Sequence, residues 1–502
     1  MRRTSLSVCF LLLCPFLFGQ QFDLVIEGAR AMDPETRLDA VRYIGIRDGK
    51  IVRISSEPLQ GKRTLHAAGL VAAPGFIDLH QHGQDLVSQR LKAFDGVTTA
   101  LEMEIGVPDV AEFLNLKAGH SLIDYGTTAS HVAARARVFG SPLPPLVIEP
   151  KEGIPDILPK SGPATNDAAS ADQISKIEQR LRDEIDAGAL GIGMGIQYTP
   201  GATRLEVIDM FRVAADRNLP VYTHIRSFGH TEPGSAIESV EEVIGAAAIS
   251  GARLHIVHVN STCLLDTPDC LSLIQGARER GLDITTEAYP YIAGMTTLNS
   301  AVFNPGWRER LGIDYSNLVL LATGEHLTKE RFEELHNSSN PQSALIFANT
   351  QEMIDATIPN PLIMIASDGA LGHPRNAGTY SRVLAQYVRE KKSLTLMEAL
   401  RKMTLMPAQL LERSTPAAHG KGRLQEGADA DIVVFDPETI ADRATFEKPN
   451  QPSVGVHFLI VGGTLLIDDG KMLPDVYPGQ SILGSGKTRM STAGARIGRS
   501  PS

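Results

Sequence analysis

The middle of the chain alternates short apolar segments with amphipathic ones, and this alternation limits the possible folds more than any other feature. Glu206–Arg217 and Ile237–Ser250 have the periodicity of helices, and each follows a short apolar segment typical of a buried strand. Eight such segments spread over roughly 340 residues favour an α/β fold of the (β/α)8 TIM-like barrel type over an open sheet. The predicted barrel strands are Gly75–His80, Thr98–Met103, Thr128–Val132, Gly191–Met194, Val221–His224, Leu254–Val259, Ile284–Ala288 and Leu362–Ser367.

The two ends of the chain are rich in short strands instead. Leu24–Ile26 and Lys50–Ile54 read as strands near the N-terminus, and Ala430–Phe435 and Phe458–Val461 do so near the C-terminus. Two distant β-rich segments around an α/β middle predict one small sheet domain built from both ends. The predicted organisation is a composite small domain at 22–74 and 413–483, a barrel at 75–412 with an insertion around 301–361, an excursion over the barrel mouth at 142–163, and a disordered Gly/Ser-rich tail at 484–502.

The first twenty residues are typical of a secretory signal peptide. Arg2 and Arg3 precede an apolar run that is too short to span a bilayer comfortably, and the small residue Gly19 follows it. We expect cleavage near Gly19 or Gln20 and a periplasmic or secreted location. A twin-arginine signal and a lipid anchor on Cys14 fit the flanking residues less well. We expect no stable membrane span after removal of the signal, since no later segment has eighteen consecutive apolar residues.

The net charge and the cysteines bear on the possible partners and on disulfide formation. The net charge is −10 and the chain has no long basic run before its tail, which argues against nucleic acid as a partner. Cys263 and Cys270 are the cysteines that remain after signal removal. In an oxidising compartment they form either a local disulfide or two free thiols, and the sequence is compatible with both. It does not indicate an oligomeric state.

Four histidines and one aspartate occupy the ends of predicted strands. His80 and His82 have the i, i+2 spacing that places both side chains on one face of a strand. Strand ends meet at the catalytic face of a barrel, where converging imidazoles and carboxylates suit a divalent first-row metal. The predicted ligands are His80, His82, His224, His258 and Asp368, with Asp368 also able to accept a proton. His255 has the opposite parity from His258 and is predicted to be structural. The remaining histidines, for instance His66, His120, His230, His419 and His457, are predicted to be surface or structural residues.

This order of residues resembles the amidohydrolase superfamily and, within it, the D-aminoacylases, or N-acyl-D-amino-acid deacylases. The resemblance extends over nearly the whole mature chain. Its further motifs are Gly96-Val97-Thr98-Thr99, Gly188-Ala189-Leu190-Gly191, Tyr289-Pro290-Tyr291, Ser367-Asp368-Gly369, His373-Pro374-Arg375 and Ala430-Asp431-Ile432-Val433-Val434-Phe435-Asp436-Pro437. It implies a metal-bearing barrel with a small β-sandwich domain, one or two divalent ions (zinc, with manganese as an alternative), and a small-molecule substrate with an acylated amine.

Two departures from the family pattern concern the metal ligands. Many amidohydrolases bridge two metals through a carboxylated lysine on the fourth strand, but Gly191–Met194 contains no lysine, in agreement with D-aminoacylases. Those enzymes use a cysteine after the Gly-Val-Thr-Thr strand, where this chain has Glu102-Met103-Glu104. We therefore expect Glu104 to be the substitute ligand, with Glu102 as the second candidate. The alternative is that both glutamates only pair with nearby bases.

A third departure concerns the substrate. The family lysine that helps to hold the substrate carboxylate is replaced by Asn260. Arg375 matches the other carboxylate-binding residue of the family and can make a bidentate contact alone. Tyr289 or Tyr291 is expected to supply a hydroxyl.

The resemblance thus implies a metal-dependent hydrolase that deacylates N-acyl-D-amino acids, with Asp368 as general base and then general acid. Related barrels use the same ligand set on cyclic amides and on dipeptides, which are the nearest alternatives. A non-catalytic metal- or ligand-binding barrel is a further alternative. Asp368 argues against it, because a binding protein needs no proton acceptor beside the metal.

Overall fold

A computed structural model describes residues 21–143, 145–146, 148–153 and 162–486. The predicted signal peptide, part of the predicted excursion at 142–163 and the tail beyond Gly486 lie outside the described residues. At the start of the predicted tail, the Gly484 amide donates to the Gly188 carbonyl at 2.9 Å and the Ser485 amide to the Ser414 carbonyl at 3.0 Å. In the part of the chain that is described, no helix is both long enough and apolar enough to cross a membrane.

Strands and helices alternate through most of the described chain. The strands are β1 (Phe22–Asp33), β2 (Leu38–Arg47), β3 (Lys50–Ser55), β4 (Gly61–His66), β5 (Val71–Pro74), β6 (Phe76–Asp78), β7 (Val97–Val107), β8 (Asp124–Ser130), β9 (Ile192–Gly195), β10 (Pro220–His224), β11 (Arg253–Ile256), β12 (Ile284–Ala288), β13 (Ala293–Thr297), β14 (Leu318–Leu320), β15 (Ser343–Phe347), β16 (Ile363–Ile365), β17 (Ile432–Phe435), β18 (Val456–Val461), β19 (Thr464–Asp468) and β20 (Lys471–Met472). The α-helices are α1 (Leu86–Phe94), α2 (Val110–Lys117), α3 (His131–Val138), α4 (Pro163–Asn166), α5 (Ala171–Asp186), α6 (Arg204–Asp216), α7 (Ala236–Ser250), α8 (Val259–Cys263), α9 (Thr267–Glu279), α10 (Trp307–Leu311), α11 (Lys329–His336), α12 (Gln351–Thr357), α13 (Arg375–Arg382), α14 (Leu396–Leu400) and α15 (Met406–Glu412). Shorter 3₁₀ or π-helical segments are Ile196–Tyr198, Leu264–Asp266, Ala301–Phe303, Tyr315–Asn317, Val383–Glu390, Arg401–Leu405 and Pro416–Gly420.

Eight parallel strands form the predicted barrel, in the order β6, β7, β8, β9, β10, β11, β12 and β16. The first and last of them meet at their carboxyl ends. There the Gly369 amide donates to the His80 carbonyl at 3.2 Å, and the His82 amide donates to the Gly369 carbonyl at 2.8 Å. The predicted (β/α)8 fold class is therefore confirmed, and its seam lies beside two of the predicted metal ligands.

The third predicted strand, Thr128–Val132, is displaced. The strand runs over Asp124–Ser130, and α3 begins at His131. The Ser130 hydroxyl accepts a hydrogen bond from the Ala133 amide, which is the contact of a helix N-cap. Because of this cap, the strand ends before Val132, which the prediction included in it.

Both ends of the chain build the small domain. Its nine-stranded sheet contains β1–β5 and β17–β20, and β5 pairs antiparallel with β17 where the two ends meet. Apolar side chains from both ends, among them Ile26, Ile44, Ile432 and Ile460, pack into one buried cluster. The sheet therefore encloses a core of its own beside the barrel.

A buried ammonium group connects the small domain to the barrel. Lys421 Nζ lies 2.5 Å from Asp124 Oδ2 on β8 and 2.6 Å from Asp431 Oδ2 just before β17. The two carboxylates and the lysine are all buried. Asp429 Oδ2 lies 3.6 Å from the same nitrogen. Carboxylates grouped in this way are stable only while the cation remains between them.

The insertion between β12 and β16 is a three-stranded antiparallel sheet with short helices. It begins at Ala293, earlier than the predicted boundary near residue 301, because β13 pairs with the distant β15. Phe303, Trp307 and Phe332 pack edge to face or tilted beneath it, with ring centroids 5.3–5.5 Å apart. In the described structure Cys263 and Cys270 form a disulfide, which links the end of α8 to α9.

Replacing Lys421 with Ala is expected to lower the free energy of unfolding by about 3–5 kcal/mol, because two buried carboxylates lose their only shared cation. Urea denaturation followed by circular dichroism measures the change. Lys62→Ala is the matched control, since Lys62 pairs with Asp23 at 2.7 Å but its side chain is 67% exposed. A loss of no more than about 1 kcal/mol is expected there, and equal losses in both variants would contradict the assignment.

Candidate metal centre and active site

Five of the barrel strands deliver six buried side chains to one point at the mouth. His80 and His82 follow β6, Glu104 lies within β7, His224 ends β10, His258 follows β11 and Asp368 follows β16. None of the six residues is more than 8% exposed. The carboxyl ends of parallel strands meet at one face of a barrel, which explains how residues so distant in sequence converge.

Four of these side chains form a first cluster. His80 Nε2 lies 3.2 Å from His82 Nε2 and 3.2 Å from Glu104 Oε2. Asp368 Oδ1 lies 3.4 Å from His80 Nε2 and 3.2 Å from His82 Nε2. Two imidazole nitrogens and two carboxylate oxygens therefore point at one small volume.

Glu104 also belongs to a second cluster, through its other oxygen. Glu104 Oε1 lies 2.6 Å from His224 Nδ1 and 3.0 Å from His258 Nε2. One carboxylate thus faces two donor sets, one on each oxygen. The structure places Glu104 where the family resemblance leads us to expect the bridging ligand.

Glu102 has a different place. Its Oε2 lies 2.7 Å from His82 Nδ1, the ring nitrogen that faces away from the first cluster. Glu287 holds His80 in the same way, with Oε1 2.7 Å from His80 Nδ1. A carboxylate on the outer nitrogen fixes the orientation and tautomer of a ligating imidazole, and it makes that imidazole a better donor to metal.

The roles of Glu287 and of its neighbour His255 at this site were not predicted from the sequence. Glu287 Oε2 lies 3.0 Å from His255 Nε2, so the histidine that was predicted to be structural orients the carboxylate that orients His80. The sequence signal that could have identified Glu287 is its position near the carboxyl end of strand β12. Strand-end histidines and aspartates indicate ligands directly, whereas a support is recognisable only from the ligand that it contacts.

Asp78 is a second support that was not predicted from the sequence. Its Oδ1 accepts hydrogen bonds from the amides of His80 at 3.2 Å and Ser367 at 3.0 Å. Its Oδ2 accepts from the Ser367 hydroxyl at 2.6 Å and pairs with the fully buried Lys92 at 2.9 Å. This carboxylate therefore fixes the backbone on both sides of the barrel seam.

Asp368 is held in place by Arg375. Arg375 Nη1 lies 2.8 Å from Asp368 Oδ2, on the side away from the histidines. The backbone of Asp368 has φ of 51°, a left-handed conformation that costs free energy in a residue with a Cβ and is often found at functional sites. The Arg375 guanidinium is fully buried, stacks on the Tyr289 ring at 4.7 Å, and its Nε and Nη2 have no hydrogen-bond partner in the described structure.

The other predicted substrate residues divide into two groups. Tyr289 and Tyr291 line a cavity that opens onto the two clusters. The Tyr289 hydroxyl has no hydrogen-bond partner among the described residues, whereas the Tyr291 hydroxyl donates to the Pro374 carbonyl at 3.4 Å. Asn260 is not part of the cavity lining: it is fully buried and donates to the Tyr289 carbonyl at 3.1 Å. Asn260 therefore supports Tyr289 instead of reaching the cavity.

Charge and burial act together on the titration of these groups. Burial alone would lower the pKa of His80, but the charges of Asp368 and Glu104 raise it to about 10. Burial alone would raise the pKa of Asp368, but the Arg375 guanidinium and the His80 imidazole hold it well below its usual range. Burial would also raise the pKa of Glu287, but hydrogen bonds from His255 and His80 lower it to about 2. These shifts favour the ionised forms of Asp368 and Glu287.

The donor set fits divalent metal. His80, His82, Glu104 and Asp368 form one group whose ligand atoms all lie within 4.8 Å of one another, and Glu104, His224 and His258 form another. Mixed imidazole and carboxylate donors suit zinc and other first-row divalent ions. The two outer supports, Glu102 and Glu287, are the kind of second layer that metal-binding histidines require.

Comparison with known proteins agrees with this geometry. The model of the Amidohydrolase family matches residues 71–466. The chain is 28% identical to the N-acyl-D-glutamate deacylase of Alcaligenes xylosoxydans xylosoxydans, with 92% of this chain and 97% of the relative covered. It is also 28% identical to the D-aminoacylase of the same organism, with 89% of this chain and 94% of the relative covered.

A solved structure has the same architecture. The N-acyl-D-glutamate deacylase of Bordetella bronchiseptica, complexed with zinc and a phosphonate inhibitor that mimics the tetrahedral intermediate, superposes with a TM-score of 0.77 at 25% identity. The match covers 92% of this chain and 100% of the other.

Substitutions at Glu104 and Glu102 should separate a ligand from a support. Glu104→Ala is expected to lower the metal content of both clusters even at saturating zinc, because each cluster loses an oxygen. Glu102→Gln is expected to weaken metal affinity by about 10–100-fold without changing the stoichiometry at saturation. Inductively coupled plasma mass spectrometry and competition with a chromogenic chelator measure the two quantities. Full metal content in Glu104→Ala would exclude Glu104 as a ligand.

Proposed function

The chain belongs to the amidohydrolase family, and from this premise we propose that it is a metal-dependent hydrolase that deacylates N-acyl-D-amino acids. The observation that carries the proposal is the single carboxylate of Glu104 between two histidine clusters, with Asp368 beside them at the mouth of a cavity. The relatives named above as deacylases, each matched over nearly its whole length, support the same substrate class.

The chemistry divides between the metal and the protein. A divalent ion held by these histidines and carboxylates would supply Lewis-acid chemistry, which lowers the pKa of water and polarises a carbonyl group. Asp368 accepts the proton of the attacking water and returns it to the amide nitrogen as the C–N bond breaks, which gives a carboxylate and a free amine. Arg375 keeps Asp368 ionised and oriented for the first of these transfers.

The remaining residues position the substrate. The Tyr289 hydroxyl faces the cavity without a protein partner among the described residues and is available to donate to a substrate oxygen. Arg375 lies directly behind Tyr289 and Asp368, and its unpartnered nitrogens are the donors that we assign to the substrate carboxylate. Asn260 contributes indirectly, because it fixes the Tyr289 backbone.

We assign zinc to the site, with one or two ions and manganese as an alternative. The Bordetella bronchiseptica deacylase, which has the same architecture, was solved with zinc bound. A carboxylate is a harder ligand than the family cysteine, which favours hard divalent ions more than a thiolate would.

A cyclic-amide hydrolase is the second candidate, and one observation favours it. No lysine or arginine is among the described residues that line the cavity, so a neutral ring would be accommodated without an exposed cation. An L-hydantoinase of Paenarthrobacter aurescens is also among the relatives, at 23% identity. A dipeptidase and a non-catalytic binding barrel find no comparable support.

We also propose that the protein is exported. The basic and apolar start of the chain supports this location. The Cys263–Cys270 disulfide suits an oxidising compartment.

The first test is hydrolysis of paired N-acetyl-D- and N-acetyl-L-amino acids by the mature protein. Activity should be confined to the D series, should disappear after chelation, and should return when zinc or manganese is added. Release of free amine measures turnover, and untreated protein carried through the same buffer exchange is the control. Hydrolysis of hydantoins or dihydropyrimidines with no release from either amino-acid series would favour the second candidate.

The role of Asp368 has a separate test. Asp368→Asn should lower kcat at least about 100-fold, since the substituted amide cannot accept the proton. Metal should remain bound at Glu104, His224 and His258, which the substitution does not touch. Near-normal turnover in a metal-loaded variant would remove Asp368 from the mechanism.

A further inference from the structure

The cavity that opens onto the metal centre is walled almost entirely by uncharged side chains. The inserted sheet and its helices contribute much of the apolar surface, which includes Met295, Val302, Leu311 and Ile346. Phe228 and Leu264 add to it from the barrel loops. The charged residues of the described lining are Glu104 and Asp368, which belong to the centre itself, and its histidines are the three ligands His82, His224 and His258.

Arginines that are close in sequence to this lining are engaged elsewhere. Arg226 pairs with Glu242 at 2.6 Å. Arg308 pairs with Asp314 at 3.1 Å, and Arg310 donates to the carbonyls of Pro305 and Asn304 at 2.9 and 3.0 Å. None of these guanidinium groups lines the cavity.

Two guanidinium groups contact lining residues. Arg382 lies over the Tyr291 ring and is bonded to the Pro290 carbonyl and to Asp442. Arg375, in contrast, contacts Asp368 and the Tyr289 ring and has unpartnered donors. It already balances Asp368, and its Nε and Nη2 remain without hydrogen-bond partners among the described residues. A fork of two donors matches one carboxylate. A substrate with a second carboxylate would have to bury it among apolar groups and neutral hydroxyl or amide groups, without a second cation from the described lining.

We propose that the acyl group and the amino-acid side chain of the substrate are both uncharged and apolar. The α-carboxylate is then the one charged group of the substrate. The preferred substrates are then N-acyl-D-amino acids with aliphatic or aromatic side chains and with hydrocarbon acyl groups. This inference rests on the proposed deacylase function and selects a substrate class within it. It differs from the substrates named for the D-glutamate and D-aspartate deacylases among the relatives.

The physical reason is the cost of burying an unpaired charge. A carboxylate that leaves water without gaining a cation or hydrogen-bond donors is strongly disfavoured, whereas an aliphatic group gains from the same transfer. The neutral polar groups of the lining carry no charge that could balance a second carboxylate, although the hydroxyls of Tyr289 and Thr296 have no partner among the described residues. Two other polar groups are already engaged. The Asn349 amide already donates to the Asn260 carbonyl at 2.6 Å, and the Ser261 hydroxyl donates to the His258 carbonyl at 3.2 Å.

The wild-type protein allows a direct test with a panel of substrates that differ in one group. N-acetyl-D-leucine, N-acetyl-D-glutamine and N-acetyl-D-glutamate vary the side chain, and the glutamine–glutamate pair isolates charge from size. N-butanoyl- and N-succinyl-D-leucine vary the acyl group in the same way. We expect kcat/KM for the leucine substrate to exceed that for the glutamate substrate by at least about 100-fold, and butanoyl to exceed succinyl by a similar factor.

A charge placed in the wall should change this preference. Met295 lines the cavity from β13 and is 6% exposed, and lysine has a similar unbranched shape. Met295→Lys is expected to reduce the leucine-to-glutamate ratio at least about 10-fold, because the ammonium group pairs with the second carboxylate. Met295→Gln, of similar length and without charge, is the matched control, and its glutamate activity should not rise. Circular dichroism and metal content establish that both variants fold.

The outcomes separate this inference from the function on which it rests. Hydrolysis of acidic D-substrates with equal or greater kcat/KM than leucine would overturn the inference and leave the deacylase function standing. Hydrolysis of no member of the panel by zinc-loaded protein would overturn the deacylase function, and the inference would fall with it. The wild-type ratios decide the question even if Met295→Lys does not fold.

Discussion

The site depends on one electrostatic constraint: two carboxylates and four imidazoles share one buried volume at the barrel mouth. Glu104 alone lies within 3.2 Å of a nitrogen of each of the four histidines. Donor atoms packed this closely repel one another unless protons or metal ions lie between them. The surrounding supports oppose this repulsion. Glu102 and Glu287 hold the outer ring nitrogens of His82 and His80, and Asp78 holds the backbone amide of His80.

The barrel and the insertion have different tasks in this arrangement. Barrel strands supply the ligands and their supports, which lie on rigid backbone and fix the distances between atoms. The insertion supplies much of the apolar wall, which the chemistry of the centre does not specify. Reaction class and substrate preference are therefore encoded in separate parts of the chain, as is common for barrels whose active sites are built on loops.

The sequence was sufficient for the barrel and for the residues that converge at its mouth. Strand periodicity and strand-end position are local properties, so His80, His82, His224, His258 and Asp368 could be selected without a structure. Glu104 followed from a resemblance and from the missing cysteine. Contacts between distant segments were not accessible in this way. Examples are the pairing of β13 with β15, the Lys421–Asp124 link and the support of Tyr289 by Asn260.

The seam of the barrel has a consequence for how the protein matures. His80 and His82 follow the first barrel strand and Asp368 follows the last, and both strand ends are joined through the backbone of Gly369. Nearly three hundred residues separate these ligands, so the first cluster does not exist until the chain through β16 has been synthesised and the seam has closed. This cluster can therefore bind metal only late in the folding of each molecule. A protein that holds its full complement of metal is also one whose barrel has closed.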